Sequence, residues 1–369
     1  MADGQGADSP EADTSQSARH RGSPAWRAAK ALAKVAFVAG ILAWLIHQDR
    51  LRVSDLGELR HGWIWAVYAF LLFLPAFFLC ALRFRLLLAA LQLPGTLRQA
   101  FSWTMIGCFF DLAMPLSNGG DLVKAYYVAQ HAGRGKRSVA VLSVVLDRVV
   151  GLLALFVFAW LVCLVAGRQV DDNPDLLRLS RILLVVCAGS VILFFVLVSP
   201  MLERSALRKR LMHALPYHAK FEALYVAFAG LRRHVGVLVL MMVLSLVVQV
   251  LGCTGILCLA QGLSFTDMAT GQPAELQLLP TLVVLPLAVF VNTFGVAGGF
   301  GAGEWAFDWL FGLMLGVRGG AALALAFHGL IVLTRLLGIP FVVLYRQEAH
   351  TPSVRAAAME MEETLPEGG

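Results

Sequence analysis

The run Trp63–Leu82, WIWAVYAFLLFLPAFFLCAL, holds twenty residues and no charge. At about 1.5 Å per residue a helix of that length covers about 30 Å, the thickness of bilayer hydrocarbon. It is apolar on every side, so no single face could turn to water. The rest of the chain agrees: 59% of the residues are apolar and 15% charged, where soluble domains carry about 25% charge. The sequence therefore predicts an all-α integral membrane protein.

Six blocks are long enough to cross, at about 29–47, 62–82, 138–167, 181–200, 234–262 and 320–346. Two further regions, about 97–130 and 276–317, are apolar but broken, in PLSNGGDLVK and in FGVAGGFGAGEW. Neither arm of either region spans comfortably alone, so both are expected to be re-entrant hairpins of broken helix. Residues 1–28 are polar and expected to be a disordered cytoplasmic segment. The block after them resembles a signal peptide, but His47-Gln48-Asp49-Arg50 stands where a cleavage site would be, so a retained helix is expected. Residues 347–369 are expected to be a disordered cytoplasmic tail, and 29–346 a single membrane domain.

The net charge of +6 does not point to nucleic acid, because the basic residues are scattered between apolar blocks instead of forming a patch. With the N-terminus inside, twenty basic residues fall in inner segments and seven in outer loops. That bias predicts cytoplasmic N- and C-termini. The six cysteines lie in apolar blocks with no CxxC spacing, which points away from metal sites and disulfides.

This direction divides the chain into two units, about 29–167 and 181–346, that begin on opposite sides of the membrane. Val145-Leu146-Asp147-Arg148-Val149-Val150-Gly151 echoes Val332-Leu333-Thr334-Arg335-Leu336-Leu337-Gly338. Upstream, each Gly-rich break ends in an acid: Asn118-Gly119-Gly120-Asp121 and Gly301-Ala302-Gly303-Glu304. The acid-to-arginine spacings are 27 and 31 residues, one helical turn apart. The pattern predicts an inverted-topology repeat.

Inverted repeats with broken helices are a transporter architecture, with substrate held at the breaks. Unpaired backbone is costly in hydrocarbon, so a break persists where protein, water or ligand satisfies it. A half-helix N-terminus favours an anion. The candidate substrate-binding residues are thus Asn118, Gly119, Gly120, Asp121, Lys124, Asp147, Arg148, Gly299, Gly301, Glu304 and Arg335. Arg148 should pair with Asp121 or Asp147, and Arg335 with Glu304 or Asp308, because a lone charge there is costly. The competing readings are a surface helix-loop-helix with Lys124 snorkelling, glycines serving tight packing, and ion pairs that only fasten helices. Asp111 and His328 are further polar residues in apolar runs. No hydrolase, metal, P-loop or dinucleotide motif is present, so no cofactor, metal or catalytic residue is assigned.

PLSNGGDLVKAYYV, VVLDRVVGLLAL, GGFGAGEWAFDWLFGLMLGV and VLTRLLGIP together resemble the lysylphosphatidylglycerol synthase transmembrane-region family of bacteria and archaea, over about residues 30–346. Asp147 stands where that family often has Glu. The resemblance implies movement of a lipid between leaflets; the soluble domain that makes an aminoacylated lipid in bifunctional members is expected to be absent. The expected function is a flippase for an anionic, glyco- or polyprenyl-type lipid with a phosphate headgroup. A transferase using a lipid-phosphate donor and a scaffold for a lipid-modifying enzyme partner stay open, and the sequence sets no oligomeric state.

Overall fold

A computed structural model describes residues 62–113, 119–133, 136–167, 174–198, 235–293 and 301–349. The expected first helix (29–47), the basic segment 204–233 and residues 1–28 and 350–369 lie outside the described residues, while 347–349 of the expected tail are helical. The described chain is mostly helical. In order come α1 (Trp63–Ala90), α2 (Leu97–Ala113), α3 (Gly119–His131), α4 (Arg137–Ala166), α5 (Pro174–Val198) and α6 (Val235–Gln261). Then follow β1 (Phe265–Asp267), β2 (Pro273–Ala274), α7 (Leu278–Asn292), α8 (Ala302–Leu310), β3 (Val317–Arg318), α9 (Gly320–Leu336) and α10 (Ile339–Ala349).

Among the described residues, four helical stretches are long and apolar enough to cross a membrane: Trp63–Ala90, Arg137–Ala166, Val235–Gln261 and Gly320–Leu344. They match four of the six predicted blocks. The predicted block 181–200 lies on α5, which begins earlier, at Pro174. The outward faces are densely apolar: Val165 and Val185 are more than 70% exposed, and Leu164, Ile182 and Val239 more than half. Water would not tolerate so broad an apolar surface; lipid does.

Local sequence sets the ends. α1 runs past its apolar block because Phe84-Arg85-Leu86-Leu87-Leu88-Ala89-Ala90 continues with strong helix formers. It stops at Gln92, in the left-handed region at φ 53°, just before Pro94. α2 opens on a reciprocal cap: the Gln99 N–H donates to Thr96 Oγ1 at 3.2 Å and the Thr96 N–H to Gln99 Oε1 at 2.8 Å. At the α9–α10 break, Gly338 is pressed against the Met105 carbonyl, where a Cβ would collide.

α1 and α6 form the most extensive pair. Gly255 allows it, since a Cβ there would stand 2.6 Å from the Phe73 ring. α2 packs on α3 and α3 on α4; in the second half α7 packs on α8 and α8 on α9. The halves also interlock, with α7 against α4 and α2 against α9. Two apolar clusters result. The larger gathers around Phe307, Phe311, Leu285 and Cys253, the smaller around Phe84, Trp103 and Leu146.

Two features depart from the sequence reading. Arg83, one of the twenty basic residues counted to the inner segments, is buried within α1. Three short strands form an antiparallel sheet of order β2-β1-β3, pairing Phe265 with Ala274 and Thr266 with Arg318. Its turn is built by Asp267, whose Oδ1 accepts the Ala269 and Thr270 N–H groups and the Thr270 hydroxyl. Those donors hold the Asp267 carboxyl below its usual range, the Thr270 bonds first.

Candidate functional site

Between the two clusters lies a cavity of about 240 Å³. Phe73 and Phe77 of α1 and Ile331 of α9 give it an apolar wall, and seven charged side chains are among the residues that line the rest. They are Arg83, Lys124, Arg148 and Arg335 against Asp111, Asp121 and Asp147, leaving one positive charge in excess.

Asp147 and Arg148 are neighbours on α4, and successive helical residues point about 100° apart. Asp147 therefore turns inward. Its Oδ1 accepts Arg83 Nε at 2.8 Å and its Oδ2 accepts Lys124 Nζ at 3.2 Å. All three side chains are less than 10% exposed. Arg83 Nη1 also donates to Ser245 Oγ at 2.9 Å, and Lys124 Nζ stands 3.5 Å from the centre of the Phe84 ring. α1, α3, α4 and α6 are thus tied by one saturated ionic knot.

Arg148 turns to the cavity with its side chain half exposed. Its Nε donates to Asp121 Oδ2 at 2.7 Å, and its Nη2 lies 3.7 Å from Asp111 Oδ2. Asp111 Oδ1 accepts the Gly120 N–H at 2.8 Å, satisfying one of the donors that a helix N-terminus leaves open. Gly120 is required there, because a Cβ would overlap the Gly107 carbonyl of α2.

Arg335 differs. It lines the same cavity from α9, and its Nη1 is buried with no hydrogen-bond partner. A buried guanidinium donor left open is costly. Together with the surplus positive charge, it makes the cavity complementary to an anion.

Of the predicted site residues, Asp121, Lys124, Asp147, Arg148 and Arg335 meet at the cavity, with Gly119 and Gly120 buried beside it at the start of α3. Asn118 and Gly299 lie outside the described residues. Gly301 and Glu304 belong to a separate cluster: Glu304 Oε2 accepts the Gly301 N–H at 2.7 Å and Oε1 meets His328 Nδ1 at 3.0 Å. Glu304 is therefore not the partner of Arg335. His328 precedes Arg335 by about two turns of α9, roughly 10 Å of helix rise. Of the expected partners of Arg148, Asp121 takes the role and Asp147 does not. Arg83 and Ser245 were missed. The signal for Arg83 was present, since the apolar run goes on past it through Phe84 and Leu86–Ala90, interrupted only by Arg85.

Among the described residues, no group of three or more His, Cys, Asp or Glu could hold a metal ion. The profile of the family described as "Lysylphosphatidylglycerol synthase TM region" matches residues 31–338. The chain belongs to that family. Comparison with curated proteins and with solved structures returns no match. The lysylphosphatidylglycerol synthase transmembrane-region match covers the quoted motifs up to Gly338, leaving out only the final Ile339-Pro340 of VLTRLLGIP. It makes the chain a membrane protein linked to lipid modification or transport.

Proposed function

We propose that this protein moves an anionic lipid between membrane leaflets, with the lipid's phosphate headgroup in the cavity and its acyl chains outside. The observation that carries the reading is Arg335, which lines a cavity with one surplus positive charge and whose Nη1 is buried without a hydrogen-bond partner. A phosphate oxygen would satisfy that donor, and Arg148 could share the anion by loosening its contacts with Asp121 and Asp111. Asp147, Arg83 and Lys124 already satisfy one another and serve as the fastening beside the site.

The finer architecture belongs to the same proposal: about six spans, two re-entrant hairpins (α2–α3 and α7–α8) and an inverted repeat, with both termini cytoplasmic in a bacterial inner membrane. The duplicated packing supports it. Exchanging α1, α2, α3 and α4 for α6, α7, α8 and α9 maps each contact onto another: α3–α4 onto α8–α9, α1–α2 onto α6–α7, and α4–α7 onto α9–α2. Relative movement of two such halves would expose the cavity to each side in turn. A transferase is less well supported: Asp121 is held by Arg148, and Glu304 is wholly buried away from the cavity.

The test is reconstitution in vesicles carrying a head-labelled phosphatidylglycerol in one leaflet, followed by a membrane-impermeant quencher. Wild-type protein should expose the label faster than protein-free vesicles, and an Arg148→Ala, Arg335→Ala variant should not. Equal rates in all three samples would end the proposal for that lipid class; equal rates in wild type and variant would remove the arginines from it.

A further inference from the structure

Glu304, the acid of the second Gly-rich break, and His328 are absorbed neither by the cavity nor by any ion pair with arginine. They form an enclosed cluster with Asn292 that draws on three helices, α7, α8 and α9. His328 Nδ1 lies 3.0 Å from Glu304 Oε1, and Nε2 lies 2.8 Å from Asn292 Oδ1. Both Glu304 and His328 side chains are 0% exposed. Gly303 closes the cluster, because a Cβ there would overlap Asn292 Oδ1 and stand 2.7 Å from His328 Cε1.

From this geometry we infer that Glu304, His328 and Asn292 form a proton-binding site, holding one proton between the carboxyl and the imidazole whenever α8 is docked on α9. Each ring nitrogen faces an oxygen. An amide oxygen only accepts, so Nε2 must carry a proton to bond Asn292. Nδ1 then bonds Glu304 only if a second proton lies between them, as imidazolium with carboxylate or as imidazole with carboxylic acid. Either form leaves the cluster neutral. Loss of that proton would leave a fully buried carboxylate with the Gly301 N–H as donor to Oε2 and none from the ring to Oε1, a large penalty.

α7 carries no titratable side chain, and α6 offers only Cys253 and Cys258. α8 adds Asp308, one turn beyond Glu304. α9 adds Arg335, which lines the anion cavity with Arg83 of α1 and Asp111 of α2; α2 also bears Arg98 at its opposite end, and α1 also bears Arg85 and Cys80.

The first half makes the contrast. There the acid Asp121 clasps Arg148 of the following long helix, and a guanidinium does not titrate. In the second half the acid clasps a histidine, whose ordinary pKa of about 6.5 lies in the working range of cells. Docked, the cluster holds one proton between its carboxyl and imidazole; opened to water, the two groups can exchange it separately. If the translocation reading holds, this gives lipid movement a proton to couple to; the site itself does not depend on that reading.

The experiment uses the full chain in lipid bilayers at pH 8, labelled with ¹⁵N-histidine. Nitrogen NMR reports the His328 ring, identified by its absence in His328→Gln. Infrared difference against Glu304→Gln reports the carboxyl. Should His328→Gln fail to fold, Glu304→Gln preserves the shape of the site and identifies the ring by moving that one resonance. The expected result is one proton in the pair: an imidazolium ring with an ionised carboxyl, or a neutral ring with a protonated one. In Glu304→Gln the ring should be neutral. A neutral ring beside an ionised carboxyl in the wild type, with the Asn292 amide turned over to donate, would overturn the inference. So would a ring still charged in Glu304→Gln. Neither readout involves transport, so a filled proton site in a protein that moves no lipid would refute only the proposed function.

Discussion

Replacing Asp147 with Asn is predicted to be the most damaging single change to the charged residues around the cavity. Its two oxygens receive Arg83 at 2.8 Å and Lys124 at 3.2 Å. An asparagine keeps one acceptor and turns an NH₂ toward the other cation, leaving a buried positive charge unpaired. Breaking a buried pair in this way costs about 3–5 kcal/mol. The control is Asp121→Asn. It removes the 2.7 Å partner of Arg148, but that arginine is half exposed and keeps Asp111 at 3.7 Å. An exposed pair contributes about 0–1 kcal/mol, so the loss should be no more than about 1 kcal/mol. Equilibrium unfolding by sodium dodecyl sulfate in mixed micelles would rank the two. Equal losses, or a larger loss in Asp121→Asn, would refute the assignment of Asp147 as the fastening and Asp121 as the softer cavity partner. A triple variant, Arg83→Met, Lys124→Met, Asp147→Leu, should recover most of the stability lost in Asp147→Asn, because apolar replacement of a whole buried ionic group is often neutral.

Gly120→Ala should lose at least about 2 kcal/mol in the same assay, since its Cβ would force α3 away from the Gly107 carbonyl. Gly133→Ala, where nothing lies within 4 Å but φ is +77°, should lose only about 1 kcal/mol from backbone strain. Arg335→Gln should leave stability unchanged or raise it slightly, because it removes a buried donor with no partner. A loss above about 2 kcal/mol would mean that Arg335 is a structural fastener.

Much of this was legible in the sequence because it follows from composition and periodicity. Long uncharged runs mark spanning helices, and charges inside such runs mark a polar site, which placed Asp121, Lys124, Asp147, Arg148 and Arg335 together. Pairing was harder. Asp147 and Arg148 are adjacent in sequence, yet the helical rotation between them sends one to Arg83 and the other to Asp121. Glu304 ends its Gly-rich break in sequence as Asp121 ends the other, but it caps Gly301 and meets His328 instead of an arginine. Arg83 was hidden by the rule that basic residues at the end of an apolar run lie at the surface; α1 simply continues. The small sheet could not be read because its strands are two or three residues long, below any usable period.

The most direct test of the central claim is lipid mass spectrometry on protein extracted with its native membrane, comparing wild type with Arg335→Gln of matched stability. The account predicts one phosphate-bearing lipid enriched over the bulk membrane in the wild type and lost in the variant. Bulk lipid in both samples, or the same enrichment in both, would contradict the assignment of the cavity as a headgroup site.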